Sequence, residues 1–92
     1  MDFEWDARKA RENLQNHKVS FEEAEQAFDD PFGIEYADEF HSDYEIRYRL
    51  IALSPRRLLF VVYTYADENT VRLISARKAA KIERELYNNA KR

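Results

Sequence analysis

The segment from Leu58 to Tyr65 contains no charged residue, Gly or Pro, and every residue in it except Thr64 is bulky and apolar or aromatic. A strand that is covered on one face alternates apolar with polar residues, so this near-continuous run predicts a strand that is buried on both faces. Its short length and its content of β-branched and aromatic residues favour a strand over a buried helix. We therefore predict the central strand of a sheet here, with helices on at least one side.

The first third of the chain has helical periodicity in two segments. Asp6 is expected to cap the first helix, which should end near residues 16–18. Ser20 and Glu23 have the spacing of a capping box, and Val19 with Ala24 that of a hydrophobic staple. A second helix should therefore start there and stop before Asp29-Asp30-Pro31. The residues expected to face the sheet are Ala7, Ala10 and Leu14 in the first helix and Phe21, Ala24 and Phe28 in the second.

The rest of the chain predicts short strands and one more helix. From Tyr44 to Ala52 apolar residues alternate with Glu45, Arg47 and Arg49, and short turns join this strand to the central one and to a strand over 70–75. Such connections favour antiparallel hairpins. Further short strands are expected over 3–5 and 32–36, after which a polar connection runs from Ala37 to Ser42. A last helix from Ala76 to Ala90 should bury Ala79, Ile82, Leu86 and Ala90.

These elements predict one α+β domain over residues 1–92, with an antiparallel sheet of about four strands, an N-terminal helical hairpin and a C-terminal helix. The start of the chain lacks the basic and apolar regions of a signal peptide, and no apolar run approaches the ~20 residues that span a bilayer, so we expect a cytoplasmic protein without a membrane partner. The chain has no Cys, and His17 and His41 lack metal-ligand spacing, so neither a metal nor a cofactor is expected.

The net charge of -3 conceals an asymmetry between the two halves of the sequence. Residues 1–45 hold 14 acids and 4 Lys or Arg, whereas residues 46–92 hold 4 acids and 11 Lys or Arg. A basic patch would bind phosphate and an acidic one would bind a basic partner. Alternatively, the two halves interleave in space and the surface is simply mixed.

The basic half contains residue types that bind phosphate or transfer protons, which permits phosphodiester cleavage but does not by itself indicate it. Arg47 and Arg49 share one face of a strand, Arg72 lies on another strand, and Arg77 is expected to open the last helix. Such a cluster can grip phosphate, or it can be a solvated face paired with Glu45 and Glu83. The candidates for further contacts to a phosphate-containing substrate are Lys9, Arg49, Lys78 and Lys81.

The candidates for proton transfer are His17 and Glu45. His17 follows the first helix, and histidine is a common proton-transfer group in enzymes, but this residue can equally cap the carbonyls at the helix end. Glu45 is a base if the arginines form the site and otherwise an ion-pair partner. Core packing is the expected role of Tyr63, and Phe3 with Trp5 should form a small apolar cluster beneath the hairpin rather than stack on RNA.

Motifs along nearly the whole chain resemble those of the BrnT family of bacterial type II toxins. They comprise Phe3–Asp6, Lys9, Asn13, His17–Ala24, His41-Ser42, Glu45-x-Arg47, Val61–Thr64, Arg72-x-Ile74–Arg77, Glu83 and Tyr87. The sequence departs from the family pattern at Asn16 and Lys18 beside His17, and at Ala52, where the family often has Gly.

The resemblance implies a RelE-like ribonuclease that cleaves RNA and inhibits translation and growth. It also implies a BrnA-type ribbon-helix-helix antitoxin, assembled with the toxin as a heterotetramer that binds operator DNA only through the antitoxin. Among its motifs, the densest contains Arg72 and Arg77. The alternative left by the residues alone is a non-catalytic domain that binds RNA or protein, or an inactive toxin that acts only through its partner.

Overall fold

The computed structural model describes residues 1–38 and 45–90, so Tyr44, His41 and most of the predicted polar connection lie outside the described residues. No helix within these two ranges is long and apolar enough to cross a membrane. The elements in chain order are β1 (Asp2–Glu4), α1 (Ala7–His17), α2 (Phe21–Ala27), β2 (Ile34–Asp38), β3 (Arg47–Leu53), β4 (Leu58–Asp67), β5 (Thr70–Lys78) and α3 (Lys81–Ala90).

The strands form one sheet in the order β1-β5-β4-β3-β2, with β4 at its centre. Strands β2 to β5 are joined as consecutive antiparallel pairs, and β1 pairs with β5 in parallel. The predicted α+β class and central strand are confirmed, with five strands in place of about four. The parallel strand is possible because the helical hairpin between β1 and β2 lets the chain return to the opposite edge.

Strand β4 is buried on both faces, as its sequence predicts. Leu59, Val61 and Tyr63 belong to a large core beneath α1 and α2. Phe60 points to the other face, where it forms a smaller core with Ile51 and Tyr87. Phe3 and Trp5 pack against the large core, as edge-to-face ring contacts with Phe28 and Phe21 illustrate. The two faces therefore differ: one is covered by a helical hairpin and the other only in part, by α3.

Both predicted helix caps are present. The Asp6 side chain accepts a hydrogen bond from Lys9 N at 3.0 Å, and Ser20 Oγ accepts one from Glu23 N at 3.0 Å. The second half of the capping box differs from the prediction, because the Glu23 carboxylate binds Arg57 and Ser54 across the fold. An ion pair with a guanidinium replaces the expected local bond to the backbone.

The buried side chain of α1 is Asn13, and the predicted apolar face of this helix is wrong. Leu14 is 50% exposed, Ala7 is exposed, and Ala10 is only partly buried. Asn13 Nδ2 donates to the carbonyls of Val19 and Ala76, each at 2.8 Å, and its Oδ1 accepts from Ala76 N at 3.0 Å. The amide thus pairs with β5 as a neighbouring strand would, beyond the three residues that pair with β1.

Replacing Asn13 by Ala is expected to lower the free energy of unfolding by about 2–4 kcal/mol, because three buried backbone groups lose their partner. Chemical denaturation measures the loss. Gln15→Ala is the matched control, since this amide lies exposed on the same helix and should change stability little. Equal effects of the two substitutions would contradict the role assigned to Asn13.

The C-terminal part of the chain corrects two predictions. Residues 76–78 extend β5, so Arg77 lies on a strand and does not open a helix, and α3 starts only at Lys81. Within α3 the buried residues are Glu83 and Tyr87, whereas Ile82 and Leu86 are 62% and 49% exposed. The cause is polar: Glu83 binds Arg77 and the backbone N of Ala80, and the Tyr87 hydroxyl donates to Asp30 at 2.7 Å.

The acidic and basic halves of the sequence interleave in the structure. Among the described residues four ion pairs join them, namely Arg49–Asp38, Arg56–Glu23, Arg57–Glu23 and Arg72–Glu4. The asymmetry in sequence is therefore partly neutralised within the fold.

Candidate functional site

Four of the predicted site residues lie on the sheet face opposite the helical hairpin. The guanidinium carbons of Arg49 and Arg77 lie 5.3 and 4.2 Å from the centre of the same Phe60 ring. Arg47 is two residues from Arg49 on β3, so it shares this face. Arg72 pairs with Thr64. Because Tyr63, the neighbour of Thr64, points into the hairpin core, Thr64 and Arg72 face the opposite side of the sheet. We call this surface, formed by Arg47, Arg49, Arg72 and Arg77, the arginine face.

The strand register arranges this face as successive rows across the sheet. At the open end Arg72 lies opposite Thr64, whose hydroxyl donates to the carbonyl of Ile46 at 2.8 Å and so adjoins Arg47. The next rows follow directly from the pairings: Tyr36, Arg49, Val62 and Ser75, and then Ile34, Ile51, Phe60 and Arg77. Three residues of the last row pack with Tyr87 of α3, namely Ile34, Ile51 and Phe60, and Val62 of the second row packs against the same cluster.

Carboxylates bind three of these arginines, namely Arg49, Arg72 and Arg77. Arg49 donates through Nε and Nη2 to Asp38, at 3.0 and 2.6 Å. Arg77 binds both oxygens of Glu83 at 2.8 Å, and this hydrogen bonding lowers the pKa of Glu83. The predicted ion pair with Glu83 is therefore present, and Arg49 pairs with Asp38, which was not among the predicted partners. These ion pairs do not consume the hydrogen-bonding capacity of the arginines, because a guanidinium carries five N–H donors.

Most of the N–H donors of Arg72 are available to a ligand. It is half exposed and contacts Glu4 through Nε alone, at 2.8 Å. Within residues 1–38 and 45–90 its two Nη groups make no hydrogen bond. A phosphate oxygen can therefore bind both Nη groups without displacing Glu4.

Glu45 lies two residues before β3, exposed, and not on the strand as predicted. Arg47 is the first residue of that strand and is partly buried. Lys78 ends β5 and Lys81 begins α3, and both are exposed. Lys78 pairs with Leu59 of the hairpin core, so it lies on the face of the sheet opposite to Arg77.

His17 and Lys9 lie apart from the arginines. His17 is the last residue of α1, on the hairpin side of the sheet, and is exposed. Together with Lys9 it lines a shallow depression of about 250 Å³ between α1 and Ile74 of β5. The predicted site residues therefore form two groups, with the arginines on one face of the sheet and His17 with Lys9 on the hairpin face.

Three polar or aromatic residues of the arginine face were missed by the sequence interpretation. Tyr36 is 41% exposed and lies beside Arg49, and the hydroxyls of Thr64 and Ser75 complete the rows. Tyr36 can stack on a nucleobase next to a guanidinium. Its position becomes apparent only from the pairing of β2 with β3, which no local pattern in the sequence reveals.

The hydroxyls of Tyr63 and Tyr65 donate hydrogen bonds and do not act as bases. The hydroxyls of Tyr63 and Tyr65 both bind Glu35 Oε2, the latter at 2.9 Å. Burial, reinforced by the Glu35 carboxylate, raises the pKa of Tyr63 far above its usual value and that of Tyr65 to about 12. The expected core role of Tyr63 is confirmed by its complete burial.

Comparison with known proteins identifies relatives of the chain. A family model described as "Ribonuclease toxin, BrnT, of type II toxin-antitoxin system" matches residues 5–83. The crystal structure of the Brucella abortus ribonuclease toxin, BrnT, is similar with a TM-score of 0.63 and 20% sequence identity, over 88% of this chain and 99% of that one. At this identity the likeness establishes the fold. No curated protein sequence matches the chain.

Proposed function

Because the chain belongs to the BrnT family of ribonuclease toxins of type II toxin–antitoxin systems, we propose that it cleaves RNA on its arginine face without a metal ion. The observation that carries this proposal is the gathering of four guanidinium groups on one sheet face, two of them over the same aromatic ring. Cleavage would inhibit translation and arrest growth until the antitoxin neutralises the toxin.

The proposed reaction is an internal transfer within the RNA. The 2′-oxygen attacks the adjacent phosphorus, the bond to the 5′-oxygen breaks, and a 2′,3′-cyclic phosphate forms. A base takes the proton of the 2′-hydroxyl, and an acid returns one to the leaving 5′-oxygen. Arg47 and Arg72, at the open end of the arginine face, would stabilise the extra negative charge on the phosphorane. Arg49 and Arg77, in the next two rows, would hold the adjoining nucleotide together with Tyr36.

We assign the base to Glu45 in preference to His17. Glu45 precedes Arg47 by two residues, whereas His17 lies on the hairpin side of the sheet. His17, Lys9 and Lys78 are then proposed to contact the RNA strand beyond the cleaved bond, and Lys81 to contact it past Arg77. The partner is proposed to be a BrnA-type ribbon-helix-helix antitoxin, which forms a heterotetramer with the toxin and alone contacts operator DNA.

The purified protein is expected to cut single-stranded RNA in the presence of EDTA and to leave cyclic-phosphate ends, which end-group analysis detects. Glu45→Gln should slow this cleavage more than His17→Gln does. Intact RNA over a wide range of protein concentrations, or cleavage only with added metal, would contradict the proposal.

The second candidate is an RNA-binding domain without catalysis, which is favoured by the existing carboxylate partners of Arg49 and Arg77. In that case RNA would be retarded on a gel but remain whole, and binding would weaken steeply with salt.

A further inference from the structure

Strand β2 is the last strand of the sheet, and its outer edge has no partner among residues 1–38 and 45–90. In an edge strand alternate residues direct their N–H and C=O groups away from the sheet. Glu35, Tyr36 and Ala37 are all exposed, and β2 contains no Pro or Lys, the residues with which proteins often protect an edge. The strand therefore presents a short template for pairing with another chain.

The opposite edge of the sheet is treated differently by the fold. There β1 pairs with residues 70–72 of β5, and the Asn13 amide pairs with Ala76. The opposite edge strand, β1, has only three residues, and the Asn13 amide occupies part of the β5 edge beyond it, whereas β2 offers five residues without a partner among the described ones.

Negative charge surrounds this free edge. From Val19 to Ile46 the sequence contains ten acids and no Lys or Arg. In the described part of that segment, Glu22, Glu25, Asp29 and Glu35 form no ion pair. At the Ile34 end of β2 a depression of about 470 Å³ is lined by Gln26, Asp29, Asp30, Leu53, Ser54 and Pro55. An extended basic segment is the ligand that fits both the unpaired backbone and this charge.

We propose that the outer edge of β2 binds an extended, basic segment of the antitoxin as a sixth strand of the sheet. The inference rests on the toxin–antitoxin family and extends the proposed function by placing its partner. Five residues of β2 span about 17 Å, enough for a partner strand of similar length. A Lys or Arg of that strand would face Glu35 on the hairpin side, and an apolar residue would face Tyr36 on the other side.

A second copy of this chain fits the edge less well, because pairing two β2 strands would bring together the unpaired acids of both copies.

Pairing of the antitoxin with β2 also accounts for neutralisation of the toxin. Tyr36 lies beside Arg49, so a strand bound at this edge adjoins the arginine face and would hinder the approach of RNA.

Hydrogen exchange followed by NMR tests the backbone pairing. The probe is the complex of this full chain with the antitoxin encoded in the same operon, compared with the free toxin. The outward amides of β2 should exchange quickly in the free toxin and at least roughly a hundredfold more slowly in the complex, as expected for new interstrand hydrogen bonds. Unchanged exchange in β2, with protection confined to other elements, would overturn the proposal.

A lysine substitution tests the same edge without disturbing the core. Ala37→Lys should weaken antitoxin binding roughly tenfold or more, since a charge at the edge opposes both strand addition and a basic partner. Ala66→Lys, at an exposed position of β4, adds the same charge elsewhere and should bind normally. Equal affinity of the two variants would refute the inference.

The RNA assay separates this inference from the proposed function. Ala37→Lys should cleave RNA at the wild-type rate, because Ala37 is not part of the arginine face. If the wild-type protein cleaves no RNA, the proposed function fails while the exchange result stands. If the free protein is a dimer that Ala37→Lys dissociates, as light scattering would reveal, the edge belongs to a second copy and the inference is wrong.

Discussion

Arg72→Ala is expected to slow RNA cleavage about a hundredfold or more, the usual effect of losing one donor to a developing oxyanion. Its cost in stability should be small, about 0–1 kcal/mol, because the Arg72–Glu4 pair is half exposed on both sides. Single-turnover cleavage and chemical denaturation of the same samples measure the two effects. The separation of activity from stability is the outcome that identifies Arg72 as part of the site.

The control for this experiment is Arg8→Ala. Arg8 is 81% exposed on α1 and pairs with Glu12 one turn away, so its removal changes the net charge equally at a distance from the arginine face. A similar loss of cleavage in both variants would indicate general electrostatic attraction of RNA, and normal cleavage by Arg72→Ala would remove Arg72 from the site.

Replacing Arg77 would be less informative than replacing Arg72. Its removal would leave the buried Glu83 carboxylate without its cation, so loss of activity would be accompanied by loss of stability. Arg72 avoids this ambiguity because Glu4 remains hydrated when its partner is removed.

Local signals in the sequence were sufficient to predict much of the fold. The central strand, the caps at Asp6 and Ser20, and the alternation that places Arg47 and Arg49 on one face are properties of a few neighbouring residues. Such signals depend on backbone geometry and on burial of apolar area, which act over short distances along the chain.

The errors arose where a polar residue faces the interior. An apolar stripe predicted that Leu14, Ile82 and Leu86 would be buried, but the buried residues are Asn13, Glu83 and Tyr87. Each satisfies its polar atoms on a group distant in sequence or in another element, such as Ala76 for Asn13. The free energy of those bonds depends on tertiary geometry, which periodicity does not encode.

The candidate site shows the same limit. Its arginines were identified from residue type, but the approach of Arg49 and Arg77 to the Phe60 ring required that Arg77 lie on β5 and not on a helix. The position of His17 on the other side of β5, and of Tyr36 beside Arg49, likewise depends on strand order and register. These are long-range pairings that no segment of the sequence specifies alone.

Glu23→Ala is expected to lower the free energy of unfolding by about 3–4 kcal/mol at neutral pH, which is typical when one partner of a buried ion pair is removed. Glu23 is 7% exposed and binds Arg57 Nε and Nη2 at 3.0 and 2.9 Å and Ser54 Oγ at 2.7 Å. Arg57 Nη2 also donates to the carbonyl of Lys18 at 2.6 Å. The substitution therefore loosens α2 from the β3–β4 turn and from the end of α1.

The dependence of this loss on pH distinguishes the ion pair from simple packing. Hydrogen bonding to Arg57 lowers the pKa of Glu23 below its usual 4.5, so the stabilisation is complete above that value and disappears as pH falls through the lower folded-state pKa. The wild type and Glu23→Ala should therefore converge in acid. Glu22→Ala, at the exposed neighbouring position, should change stability by less than about 0.5 kcal/mol. A difference for Glu23→Ala that is unchanged down to pH 3 would show that the carboxylate contributes by filling space and not by its charge.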